Sequence, residues 1–87
     1  MLNWTVVSNA ERLQGSFRQG LALPSKCDVT SADSSNLRQW DSVAHLQLVV
    51  AIEDEFGIRL SPADVVELRS YPAAIAILRR HGVWHDA

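Results

Sequence analysis

The sequence predicts an all-α fold: a small four-helix bundle of three longer helices and a short third helix, with a long loop between helices one and two. Three observations predict it. Apolar residues recur at helical spacing in four segments, each segment carries the start and stop residues that helices use, and no stretch reads convincingly as a strand.

The first helix opens at Ser8-Asn9-Ala10-Glu11, a capping-box pattern in which the serine accepts from the amide three residues on and the glutamate returns the bond. Ala10, Leu13, Phe17 and Leu21 then share one face, and Pro24 ends the segment. Gly15 and Gly20 weaken this helix by roughly 1 kcal/mol each relative to alanine. Residues 24–41 form a connection rich in Ser, Asp, Thr and Asn, and a loop of that length in a small domain is often functional. Val29, Leu37 and Trp40 are expected to pin it to the core.

The second helix runs from about Ser42 to Phe56, with Asp41 as N-cap and Gly57 as its stop. Its apolar face is read as Leu46, Val49, Val50, Ile52 and Phe56, with Val43 entering at the start. Glu53, Asp54 and Glu55 crowd the last turn, where the helix dipole disfavours negative charge, and that placement points to an interaction role. Ser61-Pro62-Ala63-Asp64 gives a third start, with a cap, a proline at the first helical position and an acid two residues later. The short helix it opens, about Pro62 to Leu68, is expected to bury Val65, Val66 and Leu68. Ser70 caps a fourth helix with Pro72 harmless in its first turn. Ala74, Ile75 and Leu78 form its inner face with Ile77 flanking; Arg79, Arg80 and His81 suit its C-terminus, and Gly82 closes it. The tail from Val83 is expected to fray or to fold back through Trp84.

Residues 1–87 are expected to form one domain, with the bundle over about 8–82. An apolar fraction of 47% is too high for a disordered chain. No apolar run is long enough to cross a membrane, and the first residues lack the basic and apolar regions of a secretion signal. The single Cys27 can form neither an internal disulfide nor a zinc site by itself, which suits a reducing cytoplasm. The formal charge of −2 is unevenly spread: residues 41–69 hold six carboxylates against two arginines. That excludes a basic nucleic-acid face and suits either a solvated helix or a surface for basic partner proteins.

Trp40-Asp41-Ser42-Val43 is the most informative stretch. It ends the long polar loop and opens an apolar-periodic helix, which puts Ser42 at the positive end of a helix where a phosphate would be stabilised. Ser42 is therefore a candidate attachment point for a phosphorylated group.

The run from Leu37 through Trp40-Asp41-Ser42-Val43-Ala44-His45-Leu46, continuing to Ile52-Glu53-Asp54-Glu55-Phe56-Gly57-Ile58, resembles the acyl carrier protein family. Ser61-Pro62-Ala63-Asp64 and Ser70-Tyr71-Pro72 extend the likeness, so that it covers roughly residues 8–82. The three-residue motif alone is weak; the helix that follows and the order of the helices make it specific. The resemblance implies a non-catalytic carrier whose Ser42 receives 4′-phosphopantetheine, through a phosphodiester, from a phosphopantetheinyl transferase that uses coenzyme A. The arm's thiol would then hold an acyl or aminoacyl group as a thioester, loaded by an activating ligase and passed to downstream transferases or synthases. Asp41 would cap the helix and help the transferase position Ser42 and a metal ion. Val43, in place of the usual leucine, would pack at the foot of the arm and contact partners. Glu53, Asp54 and Glu55 match the acidic stretch offered to basic partners. Gln47 departs from the acid usual at its place in bacterial fatty-acid synthesis, and with the weak net charge this favours a specialised freestanding carrier; such a carrier is expected to be monomeric and cytoplasmic. The cargo would lie in solvent or in a shallow groove between helices two and three.

The remaining polar residues have plainer readings. Trp40 is a loop anchor against helix two, and His45, one turn after Ser42, sits on an exposed helix face. His81 and His85 have helical metal-ligand spacing but lack a third ligand. Asp41 and Ser42, being adjacent, face different ways and build no hydrolytic triad with a histidine. A rival from another class is an unmodified helical adaptor that binds a partner directly through the acidic second helix.

Overall fold

The computed structural model describes residues 8–84. These form four helices, α1 (Asn9–Gly20), α2 (Ser42–Phe56), α3 (Pro62–Glu67) and α4 (Tyr71–Arg80), with a single 3-10 turn at Val29–Ser31 in the long connection. The one extended pairing among the described residues is an isolated bridge between Asp33 and Ser70. The expected all-α bundle, with a short third helix and a long first loop, is what the chain adopts. His85, the second member of the considered histidine pair, lies outside the described residues.

Each helix begins where the cap residues direct. Ser8 and Glu11 complete a reciprocal capping box, as do Ser61 and Asp64. The side chains of Asp41 and Ser70 accept from the amides of Ala44 and Ala73. Gly57 ends α2 at φ +63°, a left-handed conformation that costs glycine nothing.

α1 stops at Gly20, before Pro24, and the buried Leu21 caps it rather than belonging to it. The chain leaves the helix through Ala22, left-handed at φ +54°, with the Leu23 amide donating to the Arg18 carbonyl at 2.9 Å, while Gly20 is where α1 meets α2. A Cβ built there would stand 2.5 Å from the Leu48 Cα and 2.8 Å from the Leu48 N, so α1 and α2 cross backbone to backbone at this point. Gly20 is thus a packing requirement as well as a propensity cost. Gly15 has open space around it and faces solvent.

The core is a continuous cluster around Leu13, Phe17, Leu48, Ile52, Leu68, Ile77 and Leu78. Phe17 sits at its centre, edge-on to Trp40 at 5.7 Å and to Tyr71 at 5.4 Å between ring centroids. Val29 and Trp40 are buried and Leu37 is half-buried, so the loop is pinned as expected. Backbone bonds fasten it further: the Ser34 amide donates to the Arg69 carbonyl at 2.8 Å and the Tyr71 amide to the Ala32 carbonyl at 3.1 Å.

Three helix faces differ from the expectation. In α2 the inward residues are Ala44, Leu48, Val49, Ile52 and Phe56, whereas Val43, Leu46 and Val50 are 64%, 61% and 54% exposed. α2 carries apolar residues all round, so spacing alone does not fix its rotation; the Gly20–Leu48 crossing does. In α3, Val66 points out while Asp64 is buried. In α4, Ile77 is fully inside and Ile75 is the flanking residue. Trp84 folds back and packs against the core.

Asp64 joins α3 to α4. One carboxylate oxygen accepts from Arg80 at 2.6 Å, the other from His81 at 2.7 Å, and the second also takes the Ser61 amide at 3.1 Å. The His81 bond leads in holding the Asp64 carboxyl down at about 2, with the Ser61 bonds adding to it against the opposing effect of burial. A carboxylate depressed on folding stabilises the fold above its unfolded value near 3.8, and that stabilisation disappears as pH falls through the folded value of about 2.

Two measurements check these packing assignments. Gly20→Ala should destabilise the fold by about 1–3 kcal/mol through overpacking, while Gly15→Ala should stabilise it by roughly 0.5–1 kcal/mol. Urea unfolding in which both substitutions act in the same direction would refute the helix crossing. Between about pH 4 and 2 the wild type should lose about 2 kcal/mol that Asp64→Asn does not lose over the same interval. Parallel stability curves for the two proteins would remove Asp64 from that role.

Candidate functional site

Ser42 is the first residue of α2 and is exposed. Its neighbour Asp41 turns its side chain into the helix, where it accepts from the Ala44 amide at 2.9 Å, while its carbonyl takes the His45 amide at 2.8 Å. The first two amides of the helix, those of Ser42 and Val43, have no acceptor among the described residues. The hydroxyl therefore stands in solvent beside free N–H groups at the positive end of a four-turn helix, which suits a phosphate ester.

A groove of about 590 Å³ opens next to it, between the start of α2, α3 and the loop. Trp40, Leu46, Val65 and Val66 supply apolar wall, Ser34 and Ser42 supply hydroxyls, and Asp41 and Arg69 supply the charges. A second groove of about 560 Å³ runs along the other flank of α2, against the end of α1, and includes Gln19, Val43, Gln47 and Asp54. The exposed apolar stripe Val43–Leu46–Val50 lies between the two.

His45 is a correction to the sequence reading. It is half-buried, stacks on Trp40 at 6.0 Å between ring centroids, and is bonded at both ring nitrogens. The Trp40 indole N–H meets Nδ1 at 2.8 Å, and Nε2 meets the Val65 carbonyl at 2.7 Å. A polar residue on an apolar-rich helix, one turn from Ser42, carried this signal; its partners, being tertiary, did not show in the sequence. Ser34 and Arg69 reach the groove across the Ser34–Arg69 backbone bond, another long-range contact that spacing could not reveal.

The acidic turn divides its labour. Glu53 accepts the Leu60 amide at 2.9 Å, and Glu55 pairs with the Arg12 guanidinium at 2.8 Å. Arg12 also donates to the Glu55 carbonyl at 2.6 Å and lies over the Phe56 ring at 4.5 Å, so it caps the end of α2 and offsets the unfavourable dipole. Asp54 is exposed, with no partner for its carboxylate among the described residues.

The phosphopantetheine attachment site family matches residues 26–78, more than half of the chain, from within the long loop through α2 and α3 and into α4. The chain belongs to that family. Its cofactor is 4′-phosphopantetheine, held covalently, and the domain is a carrier rather than a catalyst. No curated protein and no solved structure matches the chain. Family membership also implies interaction with a phosphopantetheinyl transferase and with biosynthetic enzymes that use the loaded arm. Among the described residues, no helix is long and apolar enough to cross a membrane.

The cap at the start of α2 can be weighed directly. Asp41→Ala should cost about 1 kcal/mol of stability, and Asp41→Asn a few tenths, because asparagine caps nearly as well. Equal losses in urea unfolding would show that the charge, not the capping bond, supports the helix start.

Proposed function

We propose that this chain is an acyl carrier protein that holds acyl intermediates as thioesters on 4′-phosphopantetheine attached to Ser42. The observation that carries the proposal is an exposed serine hydroxyl at the first position of α2, beside two free helix amides and an open groove, within the matched residues 26–78. The arm supplies a terminal thiol; the protein supplies presentation and recognition. Asp41 sets the backbone of the first turn, and with it the direction in which the Ser42 hydroxyl leaves the surface. The groove between α2 and α3 gives an apolar cargo a shallow resting place, and tethering raises its effective concentration at each successive enzyme.

Partner enzymes have to approach Ser42 over its own helix. Val43, Leu46, Gln47 and Val50 present a largely uncharged surface within two turns of it, with Asp54 at the far end. Glu53 and Glu55 contribute less to that surface, since both hold other parts of the chain. Gln47, in place of an acid, and this apolar stripe support a carrier for a specialised pathway, loaded by its own acyl- or aminoacyl-activating ligase. The Trp40-Asp41-Ser42 start supports a freestanding carrier beside a dedicated ligase, and the free Cys27 suits a reducing compartment such as the cytoplasm.

Intact mass of the purified protein, with and without a broad-specificity phosphopantetheinyl transferase and coenzyme A, is the direct test. One phosphopantetheine should add to the wild type and none to Ser42→Ala. Addition that survives Ser42→Ala would move the attachment elsewhere, and no addition to a folded wild type would favour the adaptor reading. On the holo protein, Leu46→Glu should slow loading by the cognate ligase by about tenfold while leaving the unfolding midpoint in place.

A further inference from the structure

The bonds of His45 fix its chemical form. An indole N–H can only donate, so Nδ1, 2.8 Å from Trp40 Nε1, has to be the unprotonated acceptor. A backbone carbonyl can only accept, so Nε2, 2.7 Å from the Val65 carbonyl, has to carry the proton. Both demands are met by one neutral tautomer. That single ring joins the end of the loop, the first turn of α2 and the body of α3, which are the three walls of the groove beside Ser42. α3 has only six residues and is held to α4 through Asp64 at its start; the Val65 carbonyl is its tie to α2 on the groove side.

We propose that His45 is a positioning residue for modification of Ser42: in its neutral Nε2–H form it clasps Trp40 and Val65 to α2, and so fixes the shape of the groove that the transferase meets. The ring need not touch Ser42 or the arm to do this. It acts through Trp40, two residues before Ser42, and through α3 on the facing wall. The other charged groups on this groove are Asp41, engaged in capping, and Arg69. Neither occupies a ring nitrogen of His45, so the two clasp bonds belong to Trp40 and Val65. Loss of the clasp should raise the KM for the carrier as a protein substrate and leave kcat nearly unchanged, because it alters a surface rather than the nucleophile.

The positioning role rests on the carrier proposal; the clasp does not. Nitrogen-15 NMR of the full chain should show His45 protonated at Nε2 alone. It should also show a hydrogen-bonded Trp40 indole N–H, identified among the three tryptophans by Trp40→Phe. His45→Asn keeps an acceptor near the Nδ1 position, His45→Gln keeps a donor near the Nε2 position, and His45→Ala keeps neither. With transferase and coenzyme A, His45→Ala should raise the KM by about fivefold, the loss expected for a hydrogen bond worth roughly 1 kcal/mol, with the Asn and Gln variants between. If His45→Ala fails to fold, the Asn and Gln variants carry the same comparison. A Trp40 indole signal indifferent to substitution at His45, or imidazole protonated at Nδ1, would overturn the clasp. A folded His45→Ala whose KM stays within about twofold of wild type would overturn the positioning role, since a hydrogen bond of that size should show. A wild type that accepts no phosphopantetheine would overturn the carrier reading and the positioning role together, while the tautomer measurement would still decide the clasp.

Discussion

The burial of Trp40 is the constraint on which the site depends. Residues 21–41 contain one 3-10 turn and a single bridge, and the buried anchors before Trp40, Val29 and Ala32, lie too far along the chain from Ser42 to fix its position. Trp40 removes that freedom at the last moment. Its ring meets Phe17 edge-on in the centre of the core, and its N–H is held by His45. With Trp40 fixed, Asp41 has little choice but to cap α2, and Ser42 becomes the first helical residue. A large apolar residue directly before the cap thus converts core packing into the position of a surface hydroxyl.

The distribution of charge follows the same economy of contacts. α2 ends in three acids, against its own dipole, yet two of them are tied to the structure: Glu53 closes the turn after Gly57 through Leu60, and Glu55 draws in Arg12 from α1. Arg12 reaches the exposed carbonyl end of α2 with the same guanidinium, so one residue neutralises both the acid and the dipole. The ion pair is half-exposed and worth little alone, but the carbonyl bond and the Phe56 ring hold the guanidinium in place. What is left facing outward along α2 is mostly apolar and amide surface. On the proposed function, this face suits recognition by shape and apolar contact more than by long-range attraction.

Much of this was legible in the sequence, because caps and stops are local. Ser8, Asp41, Ser61 and Ser70 each act on the amide three residues on, so the helix starts could be read from the chain, and Gly57 marks the end of α2 for an equally local reason. The candidate site was legible for the same reason: Ser42 follows a cap. The rotation of α2 was not, since a helix with apolar residues on every side offers no contrast from which to infer its inner face. The role of Gly20 and the bonds of His45 are contacts across the fold, to Leu48, Trp40 and Val65, and no spacing rule reaches them.

That rotation decides what the site can do. Successive helical residues turn by roughly 100°, so once Ala44 and Leu48 are turned inward, Val43, Leu46 and Val50 are turned out, on the surface that begins at Ser42. Had Leu46 and Val50 faced the core, Ala44 and Leu48 would have turned outward in their place, and the groove against α3 would have lost the apolar wall that Leu46 supplies. The close crossing at Gly20 prevents this, because only with Leu48 against α1 can the two backbones approach so nearly. A glycine in the first helix, which looks like a weakness, thereby determines which side chains of the second helix surround Ser42.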